Sequence, residues 1–336
     1  AAAALRGRSL AGLPYVLPVG TSLRARYKIS RVLDQSRLRN IYVAEDQHLR
    51  GKLWVIKQMQ PVGVDASERN RLLTQFQAEA MLISSLEHPN LPKLVDFFAQ
   101  DSSLFVIREY VPGADLNTIY EQRKVPLPEE DVLRIGAQLA DLLNFLLKKK
   151  LAPVVMRDMS LPNLIMTPEG RVLLVDLGFS RLFQRQATAA PPDYAAPEQF
   201  TQEAAFDNRS VVYNLGALLY HLITGTNPGS SPFNLVPISH LNPRVSEATR
   251  NLIEKAVKNE PRERHATLLD FKKGMEAALA RKPVVKAAVA RRPSVRRTFA
   301  FSPRLKAWTL GVLLTVLMGG ALVAIYHYLL RPIGGQ

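Results

Sequence analysis

Residues 156–163 of the chain read Met-Arg-Asp-Met-Ser-Leu-Pro-Asn, and residues 175–178 read Val-Asp-Leu-Gly. Further upstream, residues 55–57 read Val-Ile-Lys, and Glu79 follows within a stretch that has helical periodicity. Residues 33–42, which precede all of them, contain no glycine. The order of these polar residues, together with the missing glycines, is the most informative feature of the chain.

The composition of the 336-residue chain limits the protein classes that fit it. The chain is 47% hydrophobic and 22% charged, which is enough for one large globular domain with additional segments. It has no cysteine, which excludes disulfides, cysteine-ligated zinc and thiol catalysis. A net charge of +15 would suit a nucleic-acid binder. However, the densest run of Lys and Arg flanks a hydrophobic segment, so we expect no nucleic-acid partner.

Hydrophobic periodicity divides the large domain into a strand-rich part and a helical part. Apolar residues at helical spacing predict a helix over Ser67–Leu86. Strands are predicted at Tyr27–Leu33, Ile41–Asp46, Leu53–Met59, Leu94–Phe98 and Leu104–Glu109. Later helices are predicted at Glu129–Leu147, Val211–Thr224 and Ser246–Lys258.

These segments resemble the protein-kinase signature set, from the strand lysine to the two aspartates. Residues 79–82, 88–92 and 194–199 are similar to those of bacterial Ser/Thr kinases of the eukaryotic type. The resemblance covers about residues 25–280. It implies an α+β fold with two lobes, a β-rich N-lobe with one helix (25–110) and a mostly helical C-lobe (111–280), preceded by an extension at residues 1–24.

The resemblance implies a site for ATP and Mg²⁺. Lys57 would hold the α- and β-phosphates and would itself be held by Glu79. Asp158 would orient the substrate hydroxyl, while Asn163 and Asp176 would hold Mg²⁺. The wider set of candidate cofactor-binding residues includes Asp34, Ser36, Arg39 and Glu109.

The resemblance also implies supporting roles in the activation segment. Glu198, in the triplet Ala-Pro-Glu, is expected to pair with Arg264. Arg157 is the type of residue that pairs with a phosphate on this segment, which makes Thr188 a candidate phosphosite. An ordinary polar loop residue is the alternative interpretation of Thr188.

The glycine-rich loop departs furthest from the family pattern. Asp34, Ser36 and Arg39 stand where three glycines let the backbone approach phosphate. Arg37 and Arg39 could compensate by contacting phosphate through their side chains. We interpret the loop as favouring the loss of a tight grip on ATP.

Four further departures affect other parts of the site. Ser160 replaces a lysine that neutralises the transferred phosphate, and Pro191 replaces a threonine that braces the catalytic aspartate. Val211 replaces an aspartate that anchors the catalytic loop. If the strand register is right, Arg108 stands at the back of the adenine pocket, where a buried guanidinium needs a partner such as Glu79 or Asp176.

A C-terminal segment predicts attachment to a membrane. Residues 307–330 contain no Asp, Glu, Lys or Arg and are long enough to span a bilayer as one helix. Residues 281–306 are basic and contain no acidic residue, which places the large domain in the cytoplasm and residues 331–336 outside. We expect the basic linker to contact anionic lipid and the helix to contact a membrane-protein partner. Ser294 is a candidate phosphosite, and a phosphate there would loosen the linker from the lipid. A basic membrane-flanking segment without such a switch is the alternative interpretation.

Two classes of function remain open. The first is a degenerate kinase that serves as a regulatory, scaffold or accessory subunit of a membrane complex. The second is an active Ser/Thr kinase that signals from the cytoplasmic membrane face. The replaced loop, Ser160, Pro191 and Val211 favour the first class, and the retained polar residues favour the second.

Overall fold

The structure is a computed structural model that describes residues 15–36, 39–61, 65–151, 159–177, 179, 193–200 and 207–281. Its strands are β1 (Ser22–Leu23), β2 (Tyr27–Gln35), β3 (Arg39–Asp46), β4 (Leu53–Met59), β5 (Leu94–Gln100), β6 (Ser103–Glu109), β7 (Ala114–Asp115), β8 (Leu164–Met166) and β9 (Val172–Leu174). Its α-helices are α1 (Ala66–Ser84), α2 (Leu116–Arg123), α3 (Glu129–Lys148), α4 (Asn208–Thr224), α5 (Ile238–Leu241), α6 (Glu247–Ala256) and α7 (Leu268–Arg281).

The N-lobe is an antiparallel sheet with one helix against it. In the described residues its strand order is β1-β2-β3-β4-β6-β5. Because side chains alternate between the two faces of a strand, each face has its own core. One face buries Tyr27, Tyr42 and Ile107, and the other packs against α1. This arrangement confirms the predicted strand-rich lobe.

The C-lobe is built around α4, a helix that is buried on nearly every side. A helix that is apolar all round is stable only inside a core, and α4 packs against α3, α6 and α7. Gly216 allows α6 to approach closely, since a Cβ at this position would lie 2.6 Å from the Cβ of Ala256. The short sheet β7-β8-β9 lies at the start of this lobe. Asn163 directly precedes β8, and Asp176 follows two residues after β9.

Several predicted boundaries were wrong by a few residues because side-chain caps set the ends of helices. Asp207 accepts hydrogen bonds from the backbone N–H groups of Arg209 and Ser210, so α4 begins at Asn208 rather than Val211. Ser246 caps α6 and lies outside that helix. Strand β1 falls within the predicted N-terminal extension and pairs with β2.

Membrane attachment is not settled by these elements. Within the described residues, no helix is long and apolar enough to cross a bilayer. The predicted span at 307–330 and nearly all of the basic linker at 281–306 lie outside those residues.

Candidate functional site

Asp176 lies just after β9, at the junction of the two lobes. The backbone N–H of Val175 donates to the carbonyl oxygen of Asn163 over 2.8 Å, and Leu174 N–H donates to the carbonyl oxygen of Asn90 over 2.9 Å. These bonds fix the backbone directly before Asp176. They also hold the two candidate metal-binding residues, Asn163 and Asp176, on neighbouring segments.

Lys57 pairs with Asp176. It lies on β4 between β3 and β6, opposite Ile41 and Val106, and is almost fully buried. Its Nζ lies 2.6 Å from Asp176 Oδ1 and 2.9 Å from Oδ2. Glu79, the partner that the sequence analysis expected, lies half-buried on α1. The Lys57 ammonium therefore donates to both oxygens of Asp176, a contact that the sequence analysis did not predict.

Arg39 reaches the same carboxylate from the loop that lacks glycine. Ser36 N–H donates to the carbonyl oxygen of Arg39 over 2.8 Å, and the Ser36 hydroxyl also contacts that residue's backbone, so Ser36 is held against the start of β3. Arg39 Nη1 donates to Asp176 Oδ2 over 2.8 Å. Its Nη2 lies 3.6 Å from Asp34, which is half-exposed. The predicted set Asp34, Ser36 and Arg39 is thus brought together, and Arg39 links it to Asp176.

Arg108 approaches the cleft from β6. It lines a cavity of about 40 Å³ together with Lys57 and Asp176, whereas Ile107 packs into the core on the opposite face of the sheet. Its Nη1 is buried and has no hydrogen-bond partner among the described residues. Burial lowers the pKa of Arg108 to about 10, although the negative charge of Asp176 opposes this shift. Arg108 therefore stays cationic at neutral pH.

The three cations keep Asp176 ionised. Burial alone would raise the pKa of this carboxyl group, but Lys57, Arg108 and Arg39 outweigh it, so the pKa is lowered. These three residues come from three different strands. The sequence analysis named Asp176 as a possible partner of Arg108, but it did not predict that Lys57 and Arg39 bind this carboxylate.

Phe179 is a further site residue that the sequence analysis missed. Its ring lies 5.5 Å from that of Phe76 on α1, in a cluster with Ala80 and Val106. The chain that leaves Asp176 is therefore anchored under α1 by an aromatic side chain. The only signal in the sequence was an aromatic residue directly after Gly178.

The far end of the activation segment is held by a buried ion pair. Arg264 Nη1 and Nη2 lie 2.6 and 2.8 Å from the two carboxylate oxygens of Glu198. The Arg264 side chain is fully buried and also donates to three backbone carbonyl groups. Ser210 donates its hydroxyl to Glu198 as well, which ties this segment to α4.

Polar residues that follow Val211 on α4 form a network with Tyr194. Val211 itself is fully buried in the apolar core. One turn later, Asn214 Nδ2 donates to the carbonyl oxygen of Tyr194 over 2.6 Å, and the Tyr194 hydroxyl lies 2.8 Å from His221 Nδ1. Burial lowers the pKa of His221, which keeps its ring neutral.

Of the remaining predicted residues, the structure describes Glu109 and Ser160. Glu109 lies at the end of β6, where its carboxylate accepts a hydrogen bond from Lys93 N–H over 3.3 Å. Ser160 precedes the turn that contains Asn163. Outside the described residues lie Arg157, Asp158, Thr188, Pro191 and Ser294.

Comparisons with known proteins agree with this geometry. The family model described as "Protein kinase domain" matches residues 41–277. The chain is 27% identical over 278 residues to the serine/threonine-protein kinase PrkC of Bacillus subtilis, covering 77% of this chain and 41% of that protein. It is 29% identical over 287 residues to the serine/threonine-protein kinase pkn3 of Myxococcus xanthus, covering 77% of this chain and 51% of that protein. The chain thus spans about two fifths to one half of these relatives.

A solved structure shows the same fold. The crystal structure of the Mycobacterium tuberculosis PknI kinase domain matches with a TM-score of 0.61 and 26% sequence identity. The match covers 78% of this chain and 99% of that one.

Proposed function

Because the chain belongs to the protein kinase domain family, we propose that it is a membrane-anchored Ser/Thr-kinase-like protein whose phosphoryl transfer is impaired. In this role it serves as a regulatory or scaffold subunit of a membrane complex. The observation that carries the proposal is the ion pair between Arg39 and Asp176, at 2.8 Å. It engages the carboxylate that holds Mg²⁺ in active kinases.

The cation cluster does not fit a magnesium ion at Asp176. Both oxygens of this carboxylate accept hydrogen bonds from Lys57, and one of them also accepts from Arg39. A metal ion would have to displace these donors and would enter beside the buried guanidinium of Arg108. Among the described residues, no group of three or more His, Cys, Asp or Glu side chains offers another metal site.

The loop and the catalytic segment support the same conclusion. Ser36 is hydrogen-bonded to the backbone of Arg39, and residues 33–42 contain no glycine that would let the backbone approach phosphate. Ser160 supplies no cation to the transferred phosphate, and loss of one fixed charge-stabilising group costs about 3–4 kcal/mol of transition-state stabilisation. Together these changes predict transfer that is slower by several orders of magnitude.

An active Ser/Thr kinase that uses ATP and Mg²⁺ is the second candidate function. Lys57, Asn163 and Asp176 lie together at the lobe junction, and Arg264 pins the end of the activation segment through Glu198. The curated relatives reported above are named as kinases. If Arg39 rotated away from Asp176 when nucleotide entered, this arrangement would be able to take a metal.

Membrane anchoring rests on the C-terminal sequence. The uncharged residues 307–330 would cross the bilayer, and the basic residues 281–306 would lie on anionic lipid. A partner would then be recruited through the helix or through the surface of the kinase-like domain. Sedimentation of the whole chain with neutral phosphatidylcholine vesicles, which do not attract the basic linker, is compared with that of a chain that ends at residue 306. Retention of only the shortened chain in the soluble fraction supports the anchor.

A transfer assay tests the impairment. The whole chain, purified in mild detergent, is incubated with radiolabelled ATP, Mg²⁺ and a generic basic protein, alongside Asp158→Asn as the inactive control. We expect incorporation into the protein and into the substrate to be the same for both chains. Incorporation that depends on Asp158 would refute impairment and establish the active kinase.

A further inference from the structure

The carboxylate of Asp176 is surrounded by cationic side chains. Among the described residues, Lys57 and Arg39 bind it directly, and Arg108 lines a cavity together with Lys57 and Asp176. Glu79 lies half-buried on α1, and Asp34, next to Arg39, is about half-exposed, so solvent screens the charge of Asp34 more than that of Asp176. The other residues that line the cavity are largely apolar, and Arg39 reaches Asp176 from outside that lining.

Arg39 is placed to serve two anions at once. Its side chain is 34% exposed and reaches Asp176 through Nη1, so part of the guanidinium remains accessible to solvent. A guanidinium has five N–H donors in a planar fork, and it can bind a carboxylate and a phosphate on different edges. A glycine at this position, as in the family pattern, has no such group.

Arg108 adds a second observation that points to an anion. Its Nη1 is buried and lacks a hydrogen-bond partner among the described residues. A buried charged donor without a partner is costly, which favours a ligand or water that accepts from it. Strand β4, which carries Lys57, lies between the strands that carry Arg39 and Arg108.

We propose that this cleft binds a nucleoside triphosphate without a divalent cation, and that Arg39 is the side chain that makes this possible. Arg39 and Lys57 contact the phosphates, and their charge, together with that of Arg108, replaces the charge that Mg²⁺ supplies in other kinases. The inference rests on the proposed function for the identity of the cleft and deepens it. It assigns to Arg39 a role in nucleotide recognition that a glycine cannot have.

The first experiment compares binding with and without metal. Binding of ATP to the whole chain in detergent is measured by calorimetry in EDTA and in millimolar MgCl₂, with adenosine as the probe that lacks phosphates. We expect the Kd for ATP in EDTA to be equal to or lower than that in MgCl₂, and adenosine to bind at least tenfold more weakly. Binding of ATP only with Mg²⁺, equal binding of adenosine, or no binding in EDTA would each overturn the proposal.

Two substitutions separate this proposal from ordinary metal-dependent binding. Arg39→Gln should raise the Kd for ATP in EDTA at least tenfold, whereas Arg71→Gln, at an exposed position of α1 in the same lobe, should change it less than twofold. Asp176→Asn should leave metal-free binding intact or tighten it, because it removes a negative charge and releases Arg39 and Lys57 for phosphate. A metal-dependent site would lose binding in this variant, and that result would refute the proposal.

The outcomes also distinguish this inference from impaired transfer. Binding that requires Mg²⁺ in a chain without transfer activity would refute only the metal-free cleft. Metal-free binding in a chain whose transfer depends on Asp158 would refute only the impairment. The melting temperature of each variant, measured without nucleotide, shows that the protein is folded before binding is compared.

Discussion

Replacing Arg264 by Leu tests how strongly the end of the activation segment is fixed to the C-lobe. The Arg264 side chain is fully buried and makes two short bonds to Glu198 and three to the backbone carbonyl groups of Lys258, Arg209 and Asn259. Its guanidinium also lies 4.8 Å from the ring centroid of Tyr213. The substitution would remove the arginine donors from a mostly buried carboxylate, which keeps the Ser210 hydroxyl, and from three carbonyl oxygens.

The expected cost follows from that burial. Removing one partner of a buried ion pair costs about 3–5 kcal/mol. For a domain of this size, 1 kcal/mol shifts the melting temperature by about 2–4 °C, so Arg264→Leu should lower it by roughly 6–20 °C. The control is Arg134→Leu, which breaks an exposed pair with Glu130 on α3. That pair is worth about 0.3–0.5 kcal/mol, and its loss should shift the melting temperature by less than about 2 °C.

Thermal unfolding of the whole chain gives the melting temperatures of both variants, and denaturant unfolding gives their free energies of unfolding. The same measurements are made on Glu198→Gln and on the double variant Glu198→Gln/Arg264→Leu. The two substitutions should be coupled by about 0.5–3 kcal/mol, because the residues share one hydrogen-bond network. Equal costs for Arg264→Leu and Arg134→Leu, or additivity in the double variant, would refute the reasoning.

Three further predictions concern other parts of the domain. Asp46 accepts hydrogen bonds from Arg26 and Trp54. Burial would raise the pKa of this carboxyl group, but the hydrogen bonds outweigh burial, so the pKa is lowered in the folded protein. The stabilisation that Asp46 provides is therefore complete above the unfolded-state pKa near 3.8 and is lost as the pH falls through the folded-state pKa. Asp46→Asn should therefore flatten the acid side of a plot of unfolding free energy against pH, and an unchanged acid side would contradict this. Asp207→Ala removes the cap of α4 and should cost about 0.5–2 kcal/mol in denaturant unfolding, with Asp207→Asn as the milder control. Arg108→Met should leave the melting temperature unchanged or raise it, since the buried guanidinium has no partner for Nη1 within the described residues; a large decrease would show that its charge stabilises the fold.

Most of the fold could be predicted from local patterns. Five of the six described N-lobe strands and the helix that contains Glu79 were placed to within a few residues, because alternation and helical periodicity are properties of short segments. Boundaries were less accurate where one side chain, such as Asp207 or Ser246, ends the preceding loop with a cap. The family resemblance rested on the spacing of polar residues, which is also readable along the chain.

The candidate site was only partly predictable. The sequence by itself determined which polar residues the chain carries and which glycines it lacks. Only the tertiary structure decided that Arg39 and Lys57 share Asp176, that Arg108 faces the same cavity, and that Phe179 packs under α1. Sheet pairing brings together the strands that carry the three cationic residues, and the contacts with Asp176 join residues more than a hundred positions apart in the chain. No short sequence pattern predicts these contacts.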